Sequence, residues 1–278
     1  MKYASFKTPD GRSSYGAVEG DSVIDLGASH PQLLTLKDFI GSDELGAAPS
    51  GPRLKLAEIR LLPVIPNPGK IICVGLNYQD HVQEMNRPDS EKPVLFMRSA
   101  NSQIAHGEPL VRAKVTEKLD YEGELAVIIG KPGRYIPKGE ALSHVAGYAC
   151  YNDGTARDWQ RHTHHWTPGK NFDGTGAFGP WMMTSDAIKD RSATYLTTRV
   201  NGLQVQRASL AQMIFSIEDL IEYISGYTSL ETGDVIVTGT PGGVGDKRKP
   251  PAYLNAGDKV EVEIDGVGLL ENTVMQET

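Results

Sequence analysis

The sequence lacks most of the features that mark secreted and membrane-spanning proteins. Its 278 residues include only two cysteines, Cys73 and Cys150. Both lie in apolar runs typical of strands, so we expect buried thiols rather than a disulfide, and a reducing compartment. No apolar run approaches the roughly 20 residues that a membrane span needs. The first seven residues lack the apolar stretch of a secretory signal. We therefore expect a cytoplasmic protein that does not associate with membranes.

Positive charge is also scarce. The chain has 28 Lys and Arg against 35 Asp and Glu, which gives a formal net charge of −7, and it contains no Lys/Arg-rich block. This balance argues against a nucleic-acid partner. The hydrophobic fraction of 39% is ordinary for a globular protein. The length allows one large domain or two modest ones with a substantial core.

Short strand-like runs separated by Gly and Pro dominate the chain. Asn201-Gly202 and Asp265-Gly266 are hairpin signals between such runs. Only two or three helices are expected, one of them starting at a capping pattern at Ser216. The pattern predicts a mostly-β (α+β) protein, a sandwich or rolled barrel. We expect a small N-terminal β-rich domain over residues 1–65 and a main domain over residues 66–278.

Two acidic clusters flank strand-like runs in the middle of the chain. Glu122 and Glu124 stand at the start of a run that ends at Gly130, and Asp153 ends the next run. Because side chains alternate along a strand, both Glu side chains project from one face. Three carboxylates without Cys or His suit a hard cation such as Mg²⁺, Mn²⁺ or Ca²⁺. The alternative is an exposed strand edge, with the Glu pair in water and Asp153 capping a helix.

A second candidate group lies on a short predicted helix that Asn77 could cap. His81 and Glu84 are three residues apart, so they share one face of this helix. A carboxylate beside a histidine fixes its tautomer and lets it relay a proton or deprotonate a water. A plain surface pair is the alternative, and the spacing alone does not decide between them.

Polar residues that could bind a substrate follow the acidic clusters. Arg157 and Gln160 share a helical face suited to gripping a carboxylate or carbonyl. Lys170 is either a loop charge or an ammonium aimed at developing negative charge. Thr240 lies in a Gly-rich run that matches no phosphate-binding fingerprint but allows close approach to a ligand. The histidines of residues 162–165 lack partners at zinc-ligand spacing, so no zinc site is expected.

These motifs occur in an order that resembles the fumarylacetoacetate hydrolase superfamily, from about Lys70 to Val274. The matching stretches include Gly75-Leu76-Asn77-Tyr78-x-x-His81-x-x-Glu84, Asp120-Tyr121-Glu122-Gly123-Glu124-Leu125, Asn152-Asp153-x-x-Ala156-Arg157-Asp158-x-Gln160 and Gly233-Asp234-Val235-Ile236-x-Thr238-Gly239-Thr240-Pro241-x-Gly243-Val244-Gly245. The resemblance implies the family's rolled β-sandwich, a homodimer, and a small N-terminal domain as in longer members.

The resemblance also assigns roles. It implies one Mg²⁺ or Mn²⁺ per subunit, held by Glu122, Glu124 and Asp153. It implies a catalytic dyad, His81 and Glu84, on a lid helix, with Lys170 near the substrate oxyanion. The residues expected to line the substrate site are Tyr78, Arg157, Gln160 and Thr240. Asp120 and His106 have no role in this scheme.

The resemblance implies acylpyruvates and related 2,4-diketo acids as substrates, hydrolysed at the C3–C4 bond to pyruvate and a carboxylic acid during breakdown of aromatic compounds. The alternatives are decarboxylation of oxaloacetate and isomerisation of 2-hydroxyhepta-2,4-diene-1,7-dioate. A non-catalytic, metal-dependent binding protein is a further alternative, which the intact dyad and Lys170 disfavour. Residues 97–100 depart from the family pattern, so we expect Arg98 and the 162–165 loop to favour a second carboxylate, as in maleylpyruvate or fumarylpyruvate.

Overall fold

Strands dominate the computed structural model, which describes residues 1–86 and 90–278. The strands are β1 (Lys2–Lys7), β2 (Ser13–Glu19), β3 (Ser22–Asp25), β4 (Arg53–Lys55), β5 (Arg60–Leu61), β6 (Ile71–Gly75), β7 (Val94–Arg98), β8 (Gln103–Ile104), β9 (Leu110–Arg112), β10 (Leu119–Asp120), β11 (Gly123–Ile129), β12 (Val145–Asp153), β13 (Thr155–Ala156), β14 (Gly176–Thr184), β15 (Tyr195–Val200), β16 (Leu203–Ser209), β17 (Val235–Val237), β18 (Lys259–Ile264) and β19 (Gly268–Gln276). The helices are α1 (Leu26–Ser29), α2 (Leu36–Ile40), α3 (Gln79–Glu84), α4 (Arg157–Gln160), α5 (Thr167–Lys170) and α6 (Ile217–Tyr227). The predicted mostly-β class is confirmed, but the described residues form six helices where only two or three were expected, and five of these have four to six residues.

One large sheet runs through the molecule. Its main path has the order β4-β3-β2-β1-β14-β12-β11-β17-β6-β7. The N-terminal strands therefore join the rest of the chain through the antiparallel pairing of β1 with β14. A second sheet has the order β16-β15-β18-β19-β9 and contains both predicted hairpins. A boundary at residue 65 stays a prediction, because the N-terminal strands continue the main sheet.

The central strand β11 is buried on both faces. Leu125, Val127 and Ile129 pack into one apolar cluster, which the second sheet and α6 complete. Ala126 and Ile128 point the other way, into a cluster that includes N-terminal residues such as Tyr3. This alternation is the period of two that a strand imposes on its side chains. Glu122 and Glu124 lie at the start of this buried strand.

The helix cap predicted for α6 forms, whereas the cap predicted for α3 does not. The Ser216 side chain accepts a hydrogen bond from the Asp219 amide, and Asp219 accepts from the Ser216 amide, so the capping box of α6 is confirmed. Asn77 does not cap α3, whose first flanking residue is Tyr78. Its side chain instead donates to the carbonyls of Phe215 and Thr238, because the buried backbone there needs partners.

The segment after Asp153 combines a strand and a helix. The short strand β13 comes first, and α4 then carries Arg157 and Gln160, which the sequence predicts on one helical face. The backbone of β13 pairs with β10. Both cysteines are buried and free, as predicted. Among the described residues, no helix is long and apolar enough to cross a membrane.

Candidate active site

Three carboxylates meet at the ends of two neighbouring strands. Glu122 directly precedes β11, Glu124 lies on it, and Asp153 ends β12. The two strands pair antiparallel with Gly123 opposite Asn152, which brings the acidic residues together. One oxygen from each carboxylate lies within 4.8 Å of the others, and all three residues are buried. The alternative of an exposed edge with Asp153 as a helix cap is therefore wrong.

Burial disfavours the charged forms of the two glutamates in this acidic cluster. Burial raises the pKa of Glu124 well above its usual value, and repulsion from Asp153 and Glu122 raises it further. Burial also opposes ionisation of Glu122, but the charges of Lys170 and Arg157 lower its pKa to about 2. A divalent cation would relieve the repulsion. Because the donors are all hard carboxylate oxygens, the cluster fits Mg²⁺ or Mn²⁺ and is a candidate divalent-metal site.

Lys170 contacts two of the three carboxylates in the cluster. Helix α5 carries it into the protein interior, where its Nζ lies 2.5 Å from Glu122 Oε2 and 2.5 Å from Asp153 Oδ2. Burial works against the charged form, yet the two carboxylates keep the pKa of Lys170 above its ordinary value. The ammonium also lies 4.9 Å from the centre of the Phe96 ring. Two of its three N–H donors are thus engaged by carboxylates, which leaves the third for a ligand.

Arg98 does not face the cavity, contrary to our expectation that it would favour a second carboxylate. Its side chain is fully buried, with Nη1 2.5 Å from Asp153 Oδ1. It also donates to the Gly154 carbonyl, Thr175 Oγ1 and Ser102 Oγ. A guanidinium satisfied in this way holds one oxygen of Asp153 and turns the other towards the cluster.

Arg157 is held on the opposite side of the cluster. Its Nε donates to Asp120 Oδ2 at 2.8 Å, and its Nη1 donates to Gln160 Oε1 at 3.2 Å. Its Nη2 is buried and lies 2.7 Å from Glu122 Oε1, so the guanidinium forms an ion pair with the cluster. The Gln160 side chain is oriented by its contact with Nη1, with its amide oxygen taken and its NH₂ end available.

Asp120 anchors this arrangement, although the sequence scheme had no role for it. Its carboxylate is fully buried and accepts from Arg157 and from the backbone amides of Tyr121, Gly245 and Asp246. Burial raises the pKa of Asp120, and Arg157 acts against that rise. The residue ties the Gly-rich run to Arg157. In the sequence, the position of Asp120 in the Asp120–Leu125 motif was the signal that could have indicated this role.

The predicted dyad forms on α3. His81 Nδ1 lies 3.3 Å from Glu84 Oε2, and the His81 residue is 4% exposed. The Glu84 carboxylate also accepts from the Gly243 amide at 3.1 Å, which fixes it on the Gly-rich run. Gly243 has φ of +106°, and a Cβ there would lie 2.2 Å from the Val205 carbonyl oxygen. Only glycine therefore allows this approach.

Parts of the acidic cluster, the dyad and the set of substrate-binding candidates line one cavity of about 470 Å³. That volume is within the range of small-molecule sites. Its wall includes His81, Glu122, Glu124, Arg157, Gln160, Lys170 and Thr240. Tyr78 is fully buried and does not line the cavity, so the structure offers no contact for its predicted role in substrate binding.

Gln206 supports the cavity wall and was missed from the sequence. Its side-chain oxygen accepts from the Gly123 amide, and its nitrogen donates to Thr240 Oγ1 and the Pro241 carbonyl. It thereby holds Thr240 against the start of β11. Gln206 lies in a hairpin strand where apolar and polar residues alternate as in an ordinary half-exposed strand, so no local signal marks it.

Comparison with known proteins identifies the family. The profile described as fumarylacetoacetate (FAA) hydrolase, C-terminal, matches residues 70–275. The chain belongs to the fumarylacetoacetate hydrolase superfamily. A second profile, described as Rv2993c-like, N-terminal, matches residues 1–63 of this superfamily member.

Three relatives are similar over nearly the whole chain. Oxaloacetate tautomerase fahd2, mitochondrial, of Xenopus laevis is 39% identical and covers 99% of this chain and 89% of its own. The solved structure of fumarylacetoacetate hydrolase from Exiguobacterium antarcticum has a TM-score of 0.87 at 39% identity, covering all of both chains. Maleylpyruvate hydrolase of Sphingobium sp. SYK-6, solved with manganese(II) and pyruvate, has a TM-score of 0.81 at 27% identity, again covering all of both chains. The cytoplasmic location of the present protein stays a prediction.

Proposed function

We propose that this protein interconverts the keto and enol forms of a 2-keto dicarboxylate, with oxaloacetate as the first candidate. One observation carries the proposal: His81, which is buried and paired with Glu84, lines the same cavity as Glu122 and Glu124 of the acidic cluster. It is supported by similarity to a relative named oxaloacetate tautomerase over 99% of the chain. The reaction moves one proton between C3 and the 2-oxygen, and it breaks no carbon–carbon bond.

The inner end of the cavity provides partners for a 2-keto acid. A bound Mg²⁺ or Mn²⁺ would supply Lewis acidity that makes the C3 protons of the keto acid more acidic. Arg157 and the NH₂ of Gln160, both in the cavity wall, suit the substrate carboxylate. Lys170 keeps its charge, so it stabilises negative charge that develops on the 2-oxygen.

His81 is the group that moves the proton. It takes a proton from C3 of the keto form and delivers it to the 2-oxygen of the resulting enolate, and in the reverse direction it moves the proton of the 2-hydroxyl back to C3. This requires a side chain that both accepts and donates a proton. Glu84 accepts from Nδ1 and thereby presents Nε2 to the cavity. Because the Gly243 amide holds Glu84, the pair keeps its orientation through the reaction.

The proposal is tested with solid enol-oxaloacetate dissolved immediately before mixing. We expect the enol absorbance to decay faster with Mn²⁺-loaded protein than with Mn²⁺ alone, and we expect chelation to remove the difference. A chelated protein that retains full activity would exclude the metal-dependent scheme. Decay accompanied by stoichiometric CO₂ would instead indicate a decarboxylase.

Hydrolysis of an acylpyruvate is the second candidate, and the dyad is the observation that favours it. A histidine oriented by a carboxylate is suited to deprotonating a water, which tautomerisation does not need. The substrate carbonyl at C4 would take the hydroxide, and the C3–C4 bond would break to give pyruvate and an acid. Equimolar pyruvate and organic acid from maleylpyruvate, fumarylpyruvate or acetylpyruvate would establish this activity. Binding of all these acids without any turnover would indicate a non-catalytic protein.

A further inference from the structure

The mouth of the cavity carries a positive charge that the reaction centre does not use. Arg161 directly follows Gln160, lines the cavity, and has a side chain that is 49% exposed. His164 also lines the cavity, and it is exposed. By contrast, Arg157 and Lys170 are buried against the acidic cluster. The cavity therefore has carboxylates at its inner end and a cation at its opening.

The Arg161 side chain is held in place by a hydrogen bond. Its Nη2 donates to Asp246 Oδ2. The Asp246 carboxylate is almost completely buried and accepts a second hydrogen bond from the Tyr253 hydroxyl at 2.8 Å. The Asp246 amide donates to Asp120, which in turn holds Arg157. One connected set of contacts thus fixes the mouth cation relative to the inner end.

The anchoring leaves most of the guanidinium available. Arginine has five N–H donors in a planar fork, and within the described part of the chain the hydrogen bond to Asp246 uses one of them. A planar fork that is partly exposed and held by a buried carboxylate is suited to a carboxylate ligand. The ligand group must come from the cavity side, because Arg161 forms part of that wall.

We propose that Arg161, assisted by His164, binds the distal carboxylate of a 2-keto dicarboxylate whose keto-acid end lies at the acidic cluster. This assignment rests on the proposed function and makes Arg161 the residue that selects dicarboxylates over monocarboxylates. The site for a second carboxylate, which we expected at Arg98, is thereby assigned to Arg161 instead, because Arg98 is buried behind Asp153.

The test uses two stable ligands with the same 2-hydroxy-acid head. L-Malate carries a distal carboxylate and L-lactate does not, so their affinities for Mn²⁺-loaded protein isolate the contribution of that group. For a half-exposed guanidinium we expect malate to bind roughly three- to tenfold more tightly than lactate. Arg161→Gln should remove this preference and leave lactate affinity unchanged, and Arg161→Lys should restore part of it.

Arg53→Gln is the matched control, because Arg53 is also an exposed arginine paired with a carboxylate, far from the cavity in the N-terminal strands. It should retain the malate preference. Thermal unfolding of Arg161→Gln within a degree or so of wild type would exclude a general loss of structure. In turnover of oxaloacetate, Arg161→Gln should raise KM by a similar factor with kcat nearly unchanged.

For the Arg161→Gln protein, two results would overturn the subsite: retention of the malate preference, or an equal loss of malate and lactate affinity. Failure of wild-type protein to prefer malate would overturn it as well. A malate preference that depends on Arg161, in a protein without tautomerase activity, would support the subsite and contradict only the proposed function.

Discussion

Glu124 has the least favourable charge in the acidic cluster, and this determines what its replacement should do. Its pKa is raised by burial first and then by its two acidic neighbours. One oxygen accepts from the Gly239 amide at 2.5 Å, and an amide oxygen can replace that contact. A bound cation needs the negative charge of Glu124, whereas without a cation this buried charge destabilises the folded chain.

We predict that Glu124→Gln lowers Mn²⁺ affinity by more than the roughly 10- to 100-fold typical of losing an outer-shell partner. We expect the melting temperature in chelator to stay equal to wild type or rise, because a buried repulsion is removed. Isothermal titration and thermal unfolding measure the two effects. Glu117→Gln, at an exposed position, is the control. Unchanged Mn²⁺ affinity in Glu124→Gln would contradict the assignment.

We predict that His81→Asn lowers kcat for oxaloacetate tautomerisation by about 10²- to 10⁴-fold, because the proton carrier is lost. Mn²⁺ affinity should not change. His165→Asn, an exposed histidine outside the cavity wall, should retain full activity. The measurement is the initial rate of enol decay at saturating substrate. A His81→Asn protein with wild-type turnover would show that the dyad is not part of the reaction.

The sequence predicts those residues whose arrangement is local. Glu122 and Glu124 share a face because strands alternate, and His81 meets Glu84 because they are one helical turn apart. The roles of Arg98 and Gln206 could not be read in this way. Arg98 meets Asp153 across 55 residues, and Gln206 meets Gly123 across 83. Such contacts depend on which strands become neighbours, which residue patterns do not specify.

At the scale of elements, the loop and helices that surround the cavity depend on close packing. Trp166, just before α5, lies over Gly75 at the end of β6, where a Cβ would come within 2.3 Å of its ring. The same indole packs edge-on against Phe96. This aromatic wall fixes the approach of α5 and thereby the depth of Lys170.

Helix α6 provides a test of element stability that leaves the site untouched. Its residues lie outside the cavity wall, and its apolar face packs into the core. We predict that Ser216→Ala removes the cap and costs about 1 kcal/mol. This corresponds to a melting temperature lower by about 2–4 °C for a chain of this size. Ser216→Thr should keep the cap, and turnover should be unchanged in both. An unshifted melting temperature in Ser216→Ala would contradict the capping role.

At the scale of the whole molecule, the N-terminal segment shares its core with the rest of the chain. Tyr3, Tyr15 and Phe39 pack in one cluster with Phe178 and Met182 of β14. Separate family profiles match residues 1–63 and 70–275, yet the pairing of β1 with β14 joins the two segments in one sheet. The homodimer stays a prediction.

We predict that residues 66–278 expressed alone are insoluble or unfold at a much lower temperature, because removal of residues 1–65 exposes that apolar cluster. Soluble yield and thermal unfolding measure this. Coexpression of residues 1–65 as a separate chain should restore solubility. A truncated protein with the wild-type melting temperature would instead establish an independent C-terminal domain.

We propose that the cavity enolises a 2-keto dicarboxylate in a metal-dependent reaction. The most direct test compares, on one Mn²⁺-loaded preparation, kcat/KM for oxaloacetate tautomerisation with kcat/KM for cleavage of maleylpyruvate and acetylpyruvate. We expect tautomerisation to be the faster reaction and chelation to abolish it. Faster release of equimolar pyruvate and organic acid from an acylpyruvate would contradict this proposal.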